Sequence, residues 1–192
     1  MTKVASTTDK AEAHFSDGSN SEFDWIIAAD GVGSTTRKQL HIDYPGADLP
    51  GKWSIADVDL IGDFDPEEIT LDLYGRDNQF TLILPIEKHR ARIASSTEDA
   101  LATMRLPLNV EKVRRTATFQ ILIRQAETYR KNRILLAGDA AHCHSPVGGK
   151  GMNLGMADAI AAASSIVGGR VDQYSDLRRK AGALICSSSD LI

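Results

Sequence analysis

Residues 133–160, RILLAGDAAHCHSPVGGKGMNLGMADAI, constrain the fold more than any other stretch of this 192-residue chain. A short apolar run breaks into an acidic turn, then a glycine-rich loop, then a helix of small residues. Arg133 to Ala137 has the length and branched apolar content of a buried strand, and Gly138-Asp139 carries the turn signal that ends it. Asp139 therefore stands at the carboxyl end of a strand. Open α/β sheets bind ligands at that edge, and a carboxylate there suits hydroxyls such as those of a sugar or ribityl chain. A Gly-Asp pair taken alone reads equally as a turn former or a helix cap.

The loop from Pro146 to Gly151 carries three glycines and one proline, so its backbone can approach a ligand without a Cβ in the way. The pattern predicts a helix from Met152 to about Val167, stopped by Gly168 and Gly169. Its first turn would aim unpaired N–H groups and a partial positive charge at the loop, which suits a phosphate or an electron-rich ring oxygen. Gly155, Ala157, Ala159, Ala161 and Ala163 keep that helix slim enough for close packing. An ordinary buried alanine-rich helix explains the alanines as well, but not the glycine loop.

A chain of this length can bury one good core or two small ones. Its net charge of −4, with no cluster of Lys and Arg interleaved with aromatics, gives no electrostatic footprint for nucleic acid. No apolar run approaches the roughly 18 residues needed to span a bilayer, and MTKVASTTDKAEAHF lacks the apolar centre of a signal peptide. The simplest compartment is the cytoplasm. Two cysteines, Cys143 and Cys186, do not make a disulfide framework. His142-Cys143-His144 has no second ligand pair at useful spacing, so no metal is expected.

Upstream, residues 3–15 read as a strand, with a turn at Asp17 to Asn20 and a return toward Trp25. Trp25 to Ala29 is continuously apolar, as a parallel strand covered on both faces should be, and Asp30-Gly31 ends it. Ser34 or a neighbouring threonine can cap the next turn, which carries Arg37; Arg37 reads equally as a surface charge. Gly31-Val32-Gly33 is not a dinucleotide fingerprint, because Thr36 stands where a third glycine is required. Gly149-Lys150-Gly151 is not a P-loop, because Gly151 stands in place of the Ser or Thr that holds magnesium.

From Trp53 the runs WSIADVDL, EITLDLYG, QFTLILP and RARIASS, separated by turn residues, predict an antiparallel sheet with one face buried. Sequence alone does not say which alternate set faces inward. Residues 97–117 are more polar and read as helical in part. Phe119 to Tyr129 leads back to the strand at Arg133, with Arg124 either a pocket residue or an exposed crossover arginine. The tail from Ser187 reads as disordered.

Arg133 to Ala159, with GDAAH, a proline, GGKG, MNLG and Asp158-Ala159, resembles the Gly-Asp motif of the aromatic-hydroxylase family of FAD-dependent flavoprotein monooxygenases. WIIAADGVGSTTR, residues 25–37, resembles that family's Asp-Gly fingerprint through Asp30, Gly31, Ser34 and Arg37. The resemblance implies an α/β (α+β) fold. Residues 1–45 and 119–192 would form a partial FAD-binding domain of Rossmann type, and 46–118 an antiparallel β-sheet substrate domain. It implies FAD as cofactor and NAD(P)H as reductant. One oxygen atom of O2 would pass, through a flavin hydroperoxide, to a small aromatic or similar organic substrate. Asp30, Gly31, Arg37, Gly138, Asp139, Pro146, Gly149, Gly151, Met152 and Asn153 are carried over as cofactor contacts, with no catalytic side chain assigned. The family's opening βαβ unit with its GxGxxG turn has no counterpart here, which points to a missing N-terminal segment or a partner chain. The alternative is a non-catalytic remnant or interaction module with weak or no FAD binding.

Overall fold

The structure, a computed structural model, describes residues 1–62, 65, 67–75, 79–146 and 149–187. In chain order its strands and helices are β1 (Lys3–Ser6), β2 (Ala11–His14), β3 (Asn20–Phe23), β4 (Ile26–Ala28), α1 (Thr35–Gln39), β5 (Gly46–Asp48), β6 (Trp53–Leu60), β7 (Thr70–Tyr74), β8 (Gln79–Glu87), β9 (Arg90–Ser95), α2 (Ala100–Thr103), β10 (Val110–Phe119), β11 (Leu122–Gln125), β12 (Arg130–Lys131), β13 (Ile134–Leu136), β14 (His142–Cys143), α3 (Lys150–Val167) and α4 (Tyr174–Ser187). The fold is α+β. Among the described residues, parallel pairing is confined to β4 and β13. Two compact units form, residues 1–48 with 122–192 and residues 49–121.

The first unit is built on β13. Ile134, Leu135 and Leu136 are all fully buried, so both faces of the strand are covered, and each side chain contributes about 2 kcal/mol. β13 pairs antiparallel with β12 and parallel with β4, in the register Ile134↔Ile26 and Leu136↔Ala28. Val4 and Ala11 reach the same core from β1 and β2, and Tyr129, Ala162, Val171 and Tyr174 complete it. Tyr174 also donates from its hydroxyl to the Leu136 carbonyl at 2.8 Å, fastening α4 to the strand.

Several expectations need correction here. Residues 3–15 do not make one strand: Thr7 Oγ1 accepts from the Asp9 and Lys10 amides, and this local turn divides the segment into β1 and β2. The segment from Trp25 is not covered on both faces, because Ile27 of β4 is 40% exposed. The main helix starts at Lys150 rather than Met152, since Gly149, with φ +64°, occupies the cap position. It ends at Val167 as expected, with Gly168 as its C-cap and Gly169, φ +65°, as a left-handed stop that glycine takes without penalty. Slimness of the helix is used at one point: a Cβ on Gly155 would lie 3.5 Å from the Cα of Gly138. Ser187 is the last residue of α4, and residues 188–192 lie outside the described residues.

The second unit is an antiparallel sheet in the order β10-β6-β9-β8-β7. Ser54, Ala56, Val58 and Leu60 of β6 are the buried set, joined by Ile83, Ala91 and Ile93 beneath Ala100, Leu101, Met104 and Leu106. Trp53, Ile55, Asp57 and Asp59 take the other, partly exposed face, where Trp53 and Phe80 meet edge to face at 4.9 Å. The expected partial helix in 97–117 shrinks to the single turn α2, capped by the Asp99 carboxylate. Residues 110–117 instead belong to β10. It pairs with β6 at the sheet edge and is largely exposed, so its polar composition hid a strand.

Candidate functional site

The parallel pair places two acidic turns at the same end of one small sheet: Asp30-Gly31 just after β4 and Gly138-Asp139 just after β13. Backbone need is evident at both, with φ +79° at Gly31 and +58° at Gly138, which glycine adopts readily.

Asp30 is committed to its own chain. One carboxylate oxygen accepts from the Ser34 hydroxyl at 2.5 Å and the other from the Thr36 amide at 3.0 Å. Ser34 in turn caps α1 by accepting from the Arg37 amide at 2.9 Å. Burial would raise the Asp30 pKa, but the Ser34 hydroxyl and the Thr36 amide outweigh it and hold the carboxyl below its ordinary range.

Arg37 is 4% exposed, which removes the surface-charge reading. Its guanidinium donates to the Ala140 carbonyl at 2.9 Å and to the Val32 carbonyl at 2.8 Å, and lies 3.7 Å from the centroid of the Tyr44 ring. Tyr44 then donates to the Asp139 carbonyl at 3.0 Å. Burial first, and the Cys143 thiol second, push its phenol upward, so Tyr44 stays a neutral donor. Arg37 and Tyr44 thus brace the backbone of the second turn from the first. Arg124 is paired with Asp48 at 2.6 Å and donates to the Tyr44 carbonyl at 3.3 Å, placing it behind this brace. A cavity of about 490 Å3 adjoins it, lined by Val32, Arg37, Lys38, Tyr44, Leu122 and Arg124 among others and by no described residue of the glycine loop.

Asp139 has the opposite character. Its side chain is exposed and makes no hydrogen bond to any described residue. Beyond it, Pro146 is exposed and its carbonyl accepts from the Gly149 amide at 3.0 Å, while Val147 and Gly148 lie outside the described residues. Gly151 is half-buried, and a Cβ added there would lie 3.4 Å from the His144 ring. Met152 is 76% exposed; Asn153, also exposed, donates from its side chain to the Gly149 carbonyl at 3.4 Å. The amides of Lys150 to Met152 lie in the first turn of α3, ahead of the first i−4 carbonyl that the helix or its cap provides.

A buried carboxylate beneath this surface went unassigned in the sequence. Asp158 is 0% exposed. It accepts from the Gly138 amide at 3.0 Å, from His142 Nε2 at 2.6 Å and from Arg178 Nε at 2.6 Å. Burial works against its ionisation, but His142 and Arg178 together lower its pKa below the ordinary range. The available sequence signal was an acid alone among alanines in α3, with a double arginine in the following helix; Tyr44 gave none. His142 is therefore occupied by Asp158 rather than poised as a ligand.

Comparison with known proteins identifies the family. Residues 85–168 match the family model described as an FAD binding domain. An uncharacterized aromatic compound monooxygenase of Bacillus subtilis is 32% identical over 183 residues, covering 82% of this chain and 36% of that protein. Pentachlorophenol 4-monooxygenase of Sphingobium chlorophenolicum is 32% identical over 170 residues, covering 79% of this chain and 31% of its own length. The solved anhydrotetracycline hydroxylase OxyS of Streptomyces rimosus superposes with a TM-score of 0.76 at 28% identity, over 98% of this chain and 43% of that one. The chain belongs to the FAD-dependent aromatic-hydroxylase family of flavoprotein monooxygenases. It spans about a third of the length of the two curated relatives named here. No helix among the described residues is long and apolar enough to cross a membrane.

Proposed function

We propose that this chain supplies the flavin-facing part of an FAD-dependent, NAD(P)H-reduced monooxygenase acting on a small aromatic or similarly electron-rich organic substrate. One observation carries the reading: an exposed carboxylate without a hydrogen-bond partner among the described residues, Asp139, stands at the end of β13 in a sequence continuous with a glycine loop and the amide-bearing first turn of α3. Such a carboxylate can accept from the hydroxyls of a ribityl chain. The amides around Gly151, Met152 and Asn153 can donate to a ring oxygen and stabilise negative charge on it, and Pro146 can form a wall beside it.

When bound, the flavin supplies the redox chemistry, taking electrons from NAD(P)H and activating dioxygen. The chain's own residues bind and orient. Asp139 and the α3 amides touch the cofactor, while Asp30, Gly31 and Arg37 shape the neighbouring turn, and Gly138 and Gly149 let the backbone fold close. No side chain of this site is assigned a proton transfer.

A second reading, a non-catalytic interaction module, draws on the exposed apolar residues Met152, Met156 and Ile160 along α3. Flavin absorbance of the purified chain separates the two. A yellow protein, or one that takes up FAD stoichiometrically on titration, supports the first. A protein that stays colourless after addition of FAD favours the second.

A further inference from the structure

Asp158 lies in the middle of α3, yet its hydrogen bonds reach three other places: the turn after β13, strand β14 and helix α4. The Gly138 amide it accepts from belongs to the residue immediately before Asp139. Arg178, which carries the opposing charge, also donates to the Leu154 carbonyl at 3.4 Å, next to Asn153 in the first part of α3. An ionised carboxylate only accepts, so the network assigns the His142 proton to Nε2. Its Nδ1 is buried without a hydrogen-bond partner among the described residues.

We propose that Asp158 is a positioning residue for the cofactor site: it locks the Gly138–Ala140 turn to α3, and so fixes the direction of the Asp139 carboxylate relative to the α3 amides. This rests on the reading that Asp139 holds the flavin. All three groups meeting Asp158 are donors, so the site needs a group that only accepts. One carboxylate oxygen accepts from both Gly138 and His142 and the other from Arg178, so asparagine, of nearly the same shape, must set its NH2 either against the Gly138 amide and His142 or against the Arg178 guanidinium. In both orientations one limb of the three-way lock is lost while the same space is filled. Arg178 makes α4 part of the lock, although α4 has no residue in the loop.

The test compares Asp158→Asn, Asp139→Ala and the double variant in the full chain. In Asp158→Asn, amide hydrogen exchange across Gly138 to Ala141 should quicken by about tenfold or more, while Ile134 to Leu136 in β13 keep their protection. FAD affinity should fall by about tenfold, the size expected for one lost buried hydrogen bond. In the Asp139→Ala background, the same Asp158→Asn change should lower FAD affinity less than twofold, because Asp158 acts through Asp139. Additive losses, or unchanged exchange in the turn, overturn the proposal. If Asp158→Asn does not fold, Asp158→Asn/Arg178→Met, which leaves no unpaired charge, replaces it in every arm. If wild type binds no FAD, or Asp139→Ala binds it as wild type does, the flavin reading of Asp139 fails, and the exchange measurement alone decides whether Asp158 locks the turn.

Discussion

Two aspartates end two neighbouring parallel strands, and the chain uses them in opposite ways. Asp30 gives both carboxylate oxygens to Ser34 and Thr36, stabilising the first turn of α1. Asp139 gives none to a described residue and is held by its backbone, through Tyr44 to its own carbonyl and through Arg37 to the next residue's. A carboxylate already satisfied by its own chain gains little from a ligand. One that is fixed in place and unsatisfied has its hydrogen-bonding capacity in reserve. Position at the end of a strand therefore does not distinguish a binding acid from a structural one; the inventory of donors around it does.

Substitutions can break this contrast. The largest effect is expected at the brace that joins the two turns. Arg37→Met leaves two carbonyls without their donor and empties the face of Tyr44, and should lower unfolding free energy by about 2–4 kcal/mol in denaturant titration. A loss under about 1 kcal/mol would show that the turns do not depend on each other through Arg37. Asp139→Ala comes next. It should cost about 1.5–3 kcal/mol of FAD affinity, the range for hydrogen bonds to a charged group, with the unfolding midpoint unchanged. Equal affinity in a folded variant removes the ribityl assignment.

The smallest effect is expected at Asp30. Asp30→Ala should cost about 1 kcal/mol of stability, as loss of a helix-terminal cap does, and should change FAD affinity less than Asp139→Ala does. Its contribution also carries a pH signature. The folded-state pKa of Asp30 lies below the ordinary 3.8, so its stabilisation is present above that value and fades as pH falls through the lower folded value. The stability gap between wild type and Asp30→Ala should therefore close in acid. A gap that persists unchanged after protonation would mean that the Asp30 carboxylate is not what stabilises α1.

Local chemistry made part of this molecule legible in its sequence. The buried run at Ile134 to Leu136, the turns at Gly31 and Gly138, the stop at Gly168-Gly169 and the alternating strands from Trp53 follow from period, glycine placement and branched side chains, which act over a few residues. Segments whose state depends on distant partners were not legible in the same way. β10 is polar because it occupies a sheet edge, and nothing within residues 110–119 announces its pairing with β6.

The same division runs through the site. By itself the sequence determined which acidic turns and glycine loop the chain carries, and with them the family resemblance. Only tertiary structure decided which aspartate is free. It turned Arg37 from a possible surface charge into a buried brace, and drew Asp158, His142 and Arg178 together beneath the Gly138 turn. The physical reason is range: backbone propensity is set by neighbours in sequence, whereas burial and hydrogen-bond satisfaction are set by neighbours in space, here from 16 to 103 residues apart.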